Sequence, residues 1–140
     1  MKKILLSLLI SFSSLTFAEN NHTPLNMTEN ENAYFLSFSI PEKQLVALIK
    51  AAERHNIPIY IRGLINDNLD QTAKAILYLA QKYDVKGVLV DPTRFNYYDI
   101  KVVPALVKKC GNKFDVIFGN GNIEQSLELM DKEGECKNDK

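Results

Sequence analysis

Tyr98-Asp99-Ile100-Lys101-Val102-Val103-Pro104-Ala105-Leu106-Val107 decides the fold. Proline has no N–H and a fixed φ, so Pro104 is placed to open a strand rather than to sit inside one. Ala105-Leu106-Val107 reads as that strand. Cys110-Gly111-Asn112-Lys113 supplies turn residues, and Phe114-Asp115-Val116-Ile117-Phe118 pairs back antiparallel. Gly119-Asn120-Gly121 turns the chain again. Asn122 then caps a helix, with Gln125 three residues on and Ile123, Leu127 and Met130 on one face.

Upstream of this run the pattern alternates. Tyr34–Phe38 is a short aromatic-rich strand. Ser39-Ile40-Pro41-Glu42 has the spacing of a capping box with proline in the first turn. Leu45, Leu48, Ile49 and Ala52 recur at i, i+3, i+4, i+7 and predict a helix that ends near His55. Ile57–Ile61 is the second strand. Asn66-Asp67-Asn68 starts a second helix whose apolar face is read as Leu69, Ala73, Ile76, Leu77 and Ala80. Val88-Leu89-Val90 is a third strand, and Thr93–Asp99 holds one helical turn. Strands alternating with helices demand parallel pairing through crossovers, and the hairpin adds antiparallel strands. The expected fold is α/β: a mixed sheet with helices on both faces.

The first 18 residues carry the three parts of a secretory signal. Lys2 and Lys3 give the positive start, Ile4–Phe17 is the apolar run, and Ala18 is a small residue at the cleavage point. The run is shorter than the roughly 17–25 residues of a membrane span, and no second long apolar run follows. Stable membrane insertion is therefore not expected after cleavage. Removal of the leader leaves 122 residues, with 15 basic against 17 acidic side chains and a formal charge of −2. That balance offers no basic footprint for nucleic acid and no polybasic patch for a membrane surface. Residues 19–33 are Asn-rich and polar and are read as a flexible linker before a domain over 34–133, with 134–140 a polar tail. Two Asn-x-Thr matches in the linker carry little weight in so Asn-rich a tract.

Cys110 and Cys136 are the only cysteines. An even count in an exported chain predicts one disulfide. The strand from Pro104 carries Cys110 to one end of the sheet. The returning strand and the last helix bring Cys136 back to that same end. His22 and His55 lie apart, so no metal cluster, no cofactor site and no Ser-His-Asp or Cys-His constellation is proposed. Arg62 and Asp91 each follow a strand and are expected to form a structural ion pair at one sheet edge. Gly119-Asn120-Gly121-Asn122 is fully explained as a turn and a cap, without a phosphate site. Phe95, Tyr97 and Tyr98 form an aromatic group of which at least one belongs in the core.

The run ending at Pro104, with the order of elements and the glycines at 111 and 119, resembles the thioredoxin fold. The resemblance implies a cis bond at Val103-Pro104. Where thioredoxins carry Cys-x-x-Cys, this chain has Ser39-Ile40-Pro41-Glu42, so no redox couple is expected there. A narrower resemblance is carried by Leu36–Pro41, Arg62-Gly63-Leu64, Asp91-Pro92-Thr93-Arg94-Phe95, Ile100-x-x-Val103-Pro104-Ala105-Leu106-Val107, and Asp115-Val116 with Gly119-Asn120. These runs are similar to the TrbC family of F-type conjugative pilus assembly proteins, although Ile40 stands where methionine is usual. The resemblance implies a periplasmic, non-enzymatic assembly factor for the conjugative pilus and its type IV secretion channel, working beside a TraW-like protein. It implies no catalytic residues. Ser39, Ile40, Pro41, Val103 and Pro104 are the residues expected to form a protein-binding groove. The rival expectation is a thiol–disulfide oxidoreductase or isomerase with an atypical site at Cys110 or Cys136. It is disfavoured because neither cysteine opens a helix, where a reactive thiolate is stabilised.

Overall fold

The computed structural model describes residues 23–137, so the expected leader lies outside the described residues. The elements follow in the order β1 (Asn30–Leu36), α1 (Glu42–Arg54), β2 (Ile59–Ile61), α2 (Leu69–Tyr83), β3 (Val88–Val90), α3 (Pro92–Tyr97), β4 (Ala105–Cys110), β5 (Lys113–Phe118) and α4 (Ile123–Glu133). A 3-10 turn at Ile65–Asp67 precedes α2. The strands lie in the order β3-β2-β1-β4-β5. β1, β2 and β3 are parallel, while β4 and β5 are antiparallel to their neighbours. The Val103-Pro104 bond is cis, as the resemblance implied.

β1 is central, so both its faces are covered. Tyr34 and Leu36 point into one core with Leu45, Ile49 and Ala52 of α1, Leu79 of α2, and Ile123 and Met130 of α4. Ala33 and Phe35 point into the other, with Phe95, Tyr98, Ile100, Ala105 and Val107. This alternation follows from the two-residue period of a strand. The Phe35 ring meets Phe95 edge-on at 4.8 Å, a geometry that adds to burial. Helices cover both faces: α1, α2 and α4 contribute to the first core, α3 to the second. Phe95 and Tyr98 are buried; Tyr97 is half-buried.

Three expectations are corrected. The first strand begins at Asn30, not Tyr34, because Asn30–Ala33 pair with Cys110–Val107 of β4. Part of the polar stretch read as linker is thus ordered by backbone pairing, which polar side chains do not prevent. The capping box does not form. Pro41 is itself the N-cap of α1, without a side-chain cap bond, and the Ser39 hydroxyl lies 2.9 Å from that of Ser37. Glu42 instead reaches across to Tyr78, Lys82 and Tyr83 of α2. The third correction concerns α2, whose buried residues are Thr72 and Leu79. Leu69 and Leu77, read as its inner face, are 68% and 54% exposed. The Thr72 hydroxyl accepts from Ile65 N–H and donates to the Asn68 carbonyl. These bonds and the contacts to Glu42 set the rotation of the helix against its apolar count.

The disulfide joins Cys110 to Cys136 with Cα atoms 5.6 Å apart. The tail is further held by Asp115, which accepts from the amides of Glu135 and Cys136 at 2.8 and 3.0 Å. Gly134 is required by this clamp. A Cβ there would collide with Asp115 Oδ2 and lie 2.7 Å from the Met130 carbonyl.

Burial raises the phenol pKa values of Tyr34, Tyr60 and Tyr98 above the ordinary 10.0. For Tyr98 the bond it donates to Glu31 and that carboxylate's charge raise it further. The native state therefore retains protons that the unfolded chain releases. Stability from these groups is intact below pH 10.0 and falls as pH rises above it. An ultraviolet phenolate titration is expected to find these three phenols ionising only as the sheet unfolds. Free ionisation of every tyrosine in the folded protein would contradict this.

Candidate functional site

The carboxyl ends of β1 and β2 face the segment before Pro104 and leave a cleft of about 550 Å³ between them. In α/β sheets this crevice is where ligands bind. Ser37, Phe38 and Ser39 line it from the β1–α1 connection, and Arg62, Gly63 and Leu64 from the end of β2. Phe95, Ile100, Lys101 and Val103 complete the walls. Of the expected groove residues, Ser39 and Val103 line this cleft. Ile40 does not: it packs half-buried on the α1 core and faces a separate hollow of about 160 Å³ beside Tyr78 and Leu79. Pro41 is exposed at the start of α1, and the Pro104 carbonyl accepts from Gly119 N–H at 2.8 Å. Among the described residues, no backbone hydrogen bond engages the amide or carbonyl of Val103.

The expected ion pair of Arg62 with Asp91 is replaced by another. Asp91 accepts from the Arg94 amide at 2.9 Å and from Arg94 Nη1 at 2.7 Å, capping α3 and pairing with it at once. Arg62 donates to Asn96 Oδ1 at 3.0 Å and to the Ile100 carbonyl at 3.4 Å. Arg94 wins the carboxylate because α3 places it three residues after the cap, on the same face.

Arg94 is only 4% exposed, and sequence reading missed it. Its guanidinium also pairs with Glu31 at 3.1 Å and donates to the carbonyls of Leu25 and Asn26 at 3.0 and 3.2 Å. It lies 4.6 Å from the centre of the Tyr60 ring. Tyr98 donates to Glu31 at 2.6 Å. This network ties the segment before β1 to α3, and α3 supplies Phe95 to the cleft wall. The Asp-Pro-Thr-Arg spacing was the local signal; Glu31 sat in the stretch read as linker.

The disulfide is remote from the cleft. Cys110 lies five residues along β4 from Ala105, about 17 Å at the strand rise. No cysteine lines the cleft, so its walls carry no thiol. Among the described residues no helix is long and apolar enough to cross a membrane.

Strand order, the antiparallel hairpin that follows Pro104 and the position of the cleft define a thioredoxin-like domain without Cys-x-x-Cys. Similar solved structures are StoA from Bacillus subtilis (14% identity, TM-score 0.49, 76% of this chain and 85% of that one) and MTB dsbF (17%, 0.48, 71% and 77%). The chain belongs to the TrbC family, described as type-F conjugative transfer system pilin assembly protein, whose model matches residues 34–130. It is 41% identical over 104 residues to periplasmic protein TrbC of Escherichia coli (strain K12). The match covers 74% of this chain and 49% of that one, so the chain spans about half the length of this relative. It is a periplasmic member of the family.

Proposed function

We propose that the protein is a non-enzymatic assembly factor for an F-type conjugative pilus and its type IV secretion channel. It holds an extended segment of a partner, a TraW-like protein, in the cleft beside Val103. The observation that carries this reading is the unengaged backbone of Val103 at the wall of an open cleft. A partner strand pairs with such groups by main-chain hydrogen bonds, while pockets read its alternate side chains. The absence of a thiol from Ser39-Ile40-Pro41-Glu42 supports binding without redox turnover. The thioredoxin-like architecture favours a second reading, a thiol–disulfide oxidoreductase or isomerase working through the Cys110–Cys136 pair.

One set of measurements separates the two. Ser39 is exposed and lines the cleft, so Ser39→Trp fills it without entering the core. The variant is expected to remain folded and to capture a co-expressed TraW-like protein about tenfold less well, the scale set by losing one well-placed contact region. Neither protein is expected to reduce insulin disulfides with a dithiol as electron source. Unchanged capture would remove the cleft as the binding surface, and thioredoxin-like turnover would sink the non-enzymatic reading.

A further inference from the structure

We infer that the cleft selects an extended partner segment carrying an aspartate or glutamate side chain, and that Arg62 receives that carboxylate. This deepens the binding reading above and rests on it. Arg62 is exposed at the cleft wall and is oriented by neutral acceptors, Asn96 Oδ1 and the Ile100 carbonyl. Among the described residues no carboxylate lies within ion-pair distance of it. Val90 pairs with Ile61, so Asp91 is its neighbour in register, but Arg94 holds that carboxylate at 2.7 Å. Among the described residues no aspartate or glutamate lines the cleft. The second cation on its wall, Lys101, shares a largely exposed pair with Asp99 at 3.3 Å. Among the described residues the charge of Arg62 thus meets only neutral acceptors and, at 6.0 Å, the Phe95 ring, in a chain with no basic excess.

A guanidinium is a planar fork of five donors that matches a carboxylate in bidentate geometry. Two of the donors of Arg62 already fix its orientation, so little further ordering accompanies capture. The neighbouring surface is apolar, with Leu64 36% exposed and Phe38 beside it. An extended segment sends side chains two apart to the same face, so the fitting sequence places apolar residues two positions to either side of the acid.

The probes are three fluorescein-labelled peptides of about eight residues, amidated at the C-terminus to remove the α-carboxylate. Each carries one central aspartate, asparagine or lysine, with valine two positions to either side and threonine between. Anisotropy with the mature protein is expected to rank aspartate above asparagine by about fivefold, with lysine weakest, the scale of a partly exposed ion pair. Arg62→Gln is expected to abolish the difference between the aspartate and asparagine peptides. Arg62→Glu is expected to reverse the order of the aspartate and lysine peptides. Backbone amide shifts at Ser39 and Val103 report occupancy. Equal binding of all three peptides with those shifts overturns the charge selection and leaves the cleft reading standing. An aspartate preference that survives Arg62→Gln also overturns it. Absence of shifts there with every peptide overturns both.

Discussion

Arg94→Met is expected to lower the unfolding free energy by about 3–5 kcal/mol, the scale for removing one partner of a buried charge network. The side chain is 5% exposed, and its two acids, Glu31 and Asp91, are 11% and 19% exposed. Methionine keeps much of the apolar stem volume, so packing loss is small. What remains is two carboxylates in a nearly dry site, with the carbonyls of Leu25 and Asn26 stripped of their donor. Glu31 would keep only the Tyr98 hydroxyl among the partners seen here. Urea unfolding of the variant measures the loss. A triple variant, Glu31→Gln and Asp91→Asn with Arg94→Met, is expected to recover part of it, because the unpaired charges are then gone. A loss under 1 kcal/mol for Arg94→Met alone would show that water already satisfies these groups. The same variant is expected to weaken partner capture, since Arg94 anchors the helix that carries Phe95 to the cleft.

Removing the disulfide with the double substitution Cys110→Ser and Cys136→Ser is expected to cost about 3.5 kcal/mol, the chain-entropy value for a loop of this length. The bond closes a separation of 26 residues, which spans β5 and the whole of α4. Cys136 is 5% exposed, so the bond also seals the end of the core against the tail. The amide bonds from Glu135 and Cys136 to Asp115 remain as the second hold on that segment. Urea unfolding with and without reductant gives the difference. Intact mass under alkylation is expected to show no reactive thiol in oxidised protein and two after reduction. Two alkylatable thiols in protein taken from the periplasm would mean that the bond does not form there. Because the disulfide sits at the end of the sheet away from the cleft, its loss is expected to change stability more than partner affinity.

Local pattern alone determined the order of the elements. Pro104, the turn at Cys110–Lys113 and the aromatic and β-branched residues of Phe114–Phe118 left little freedom but a hairpin. Strand direction then carried both cysteines to one end, which made their pairing legible in the sequence. The absence of a thiol beside the cleft was likewise written in Ser39-Ile40-Pro41-Glu42. Tertiary structure decided what depends on partners far along the chain. Glu31 meets Arg94 across 63 residues, and a polar stretch read by composition as linker became a strand and an anchor. The rotation of α2 was set by Thr72 and by Glu42 of another helix, so Leu69 and Leu77 stayed outside although periodicity placed them within. Arg62 and Asp91 do sit side by side on neighbouring strands, as the parallel sheet requires. Which cation takes the carboxylate was decided by α3, because a helix cap brings its own third residue closer than an adjacent strand does.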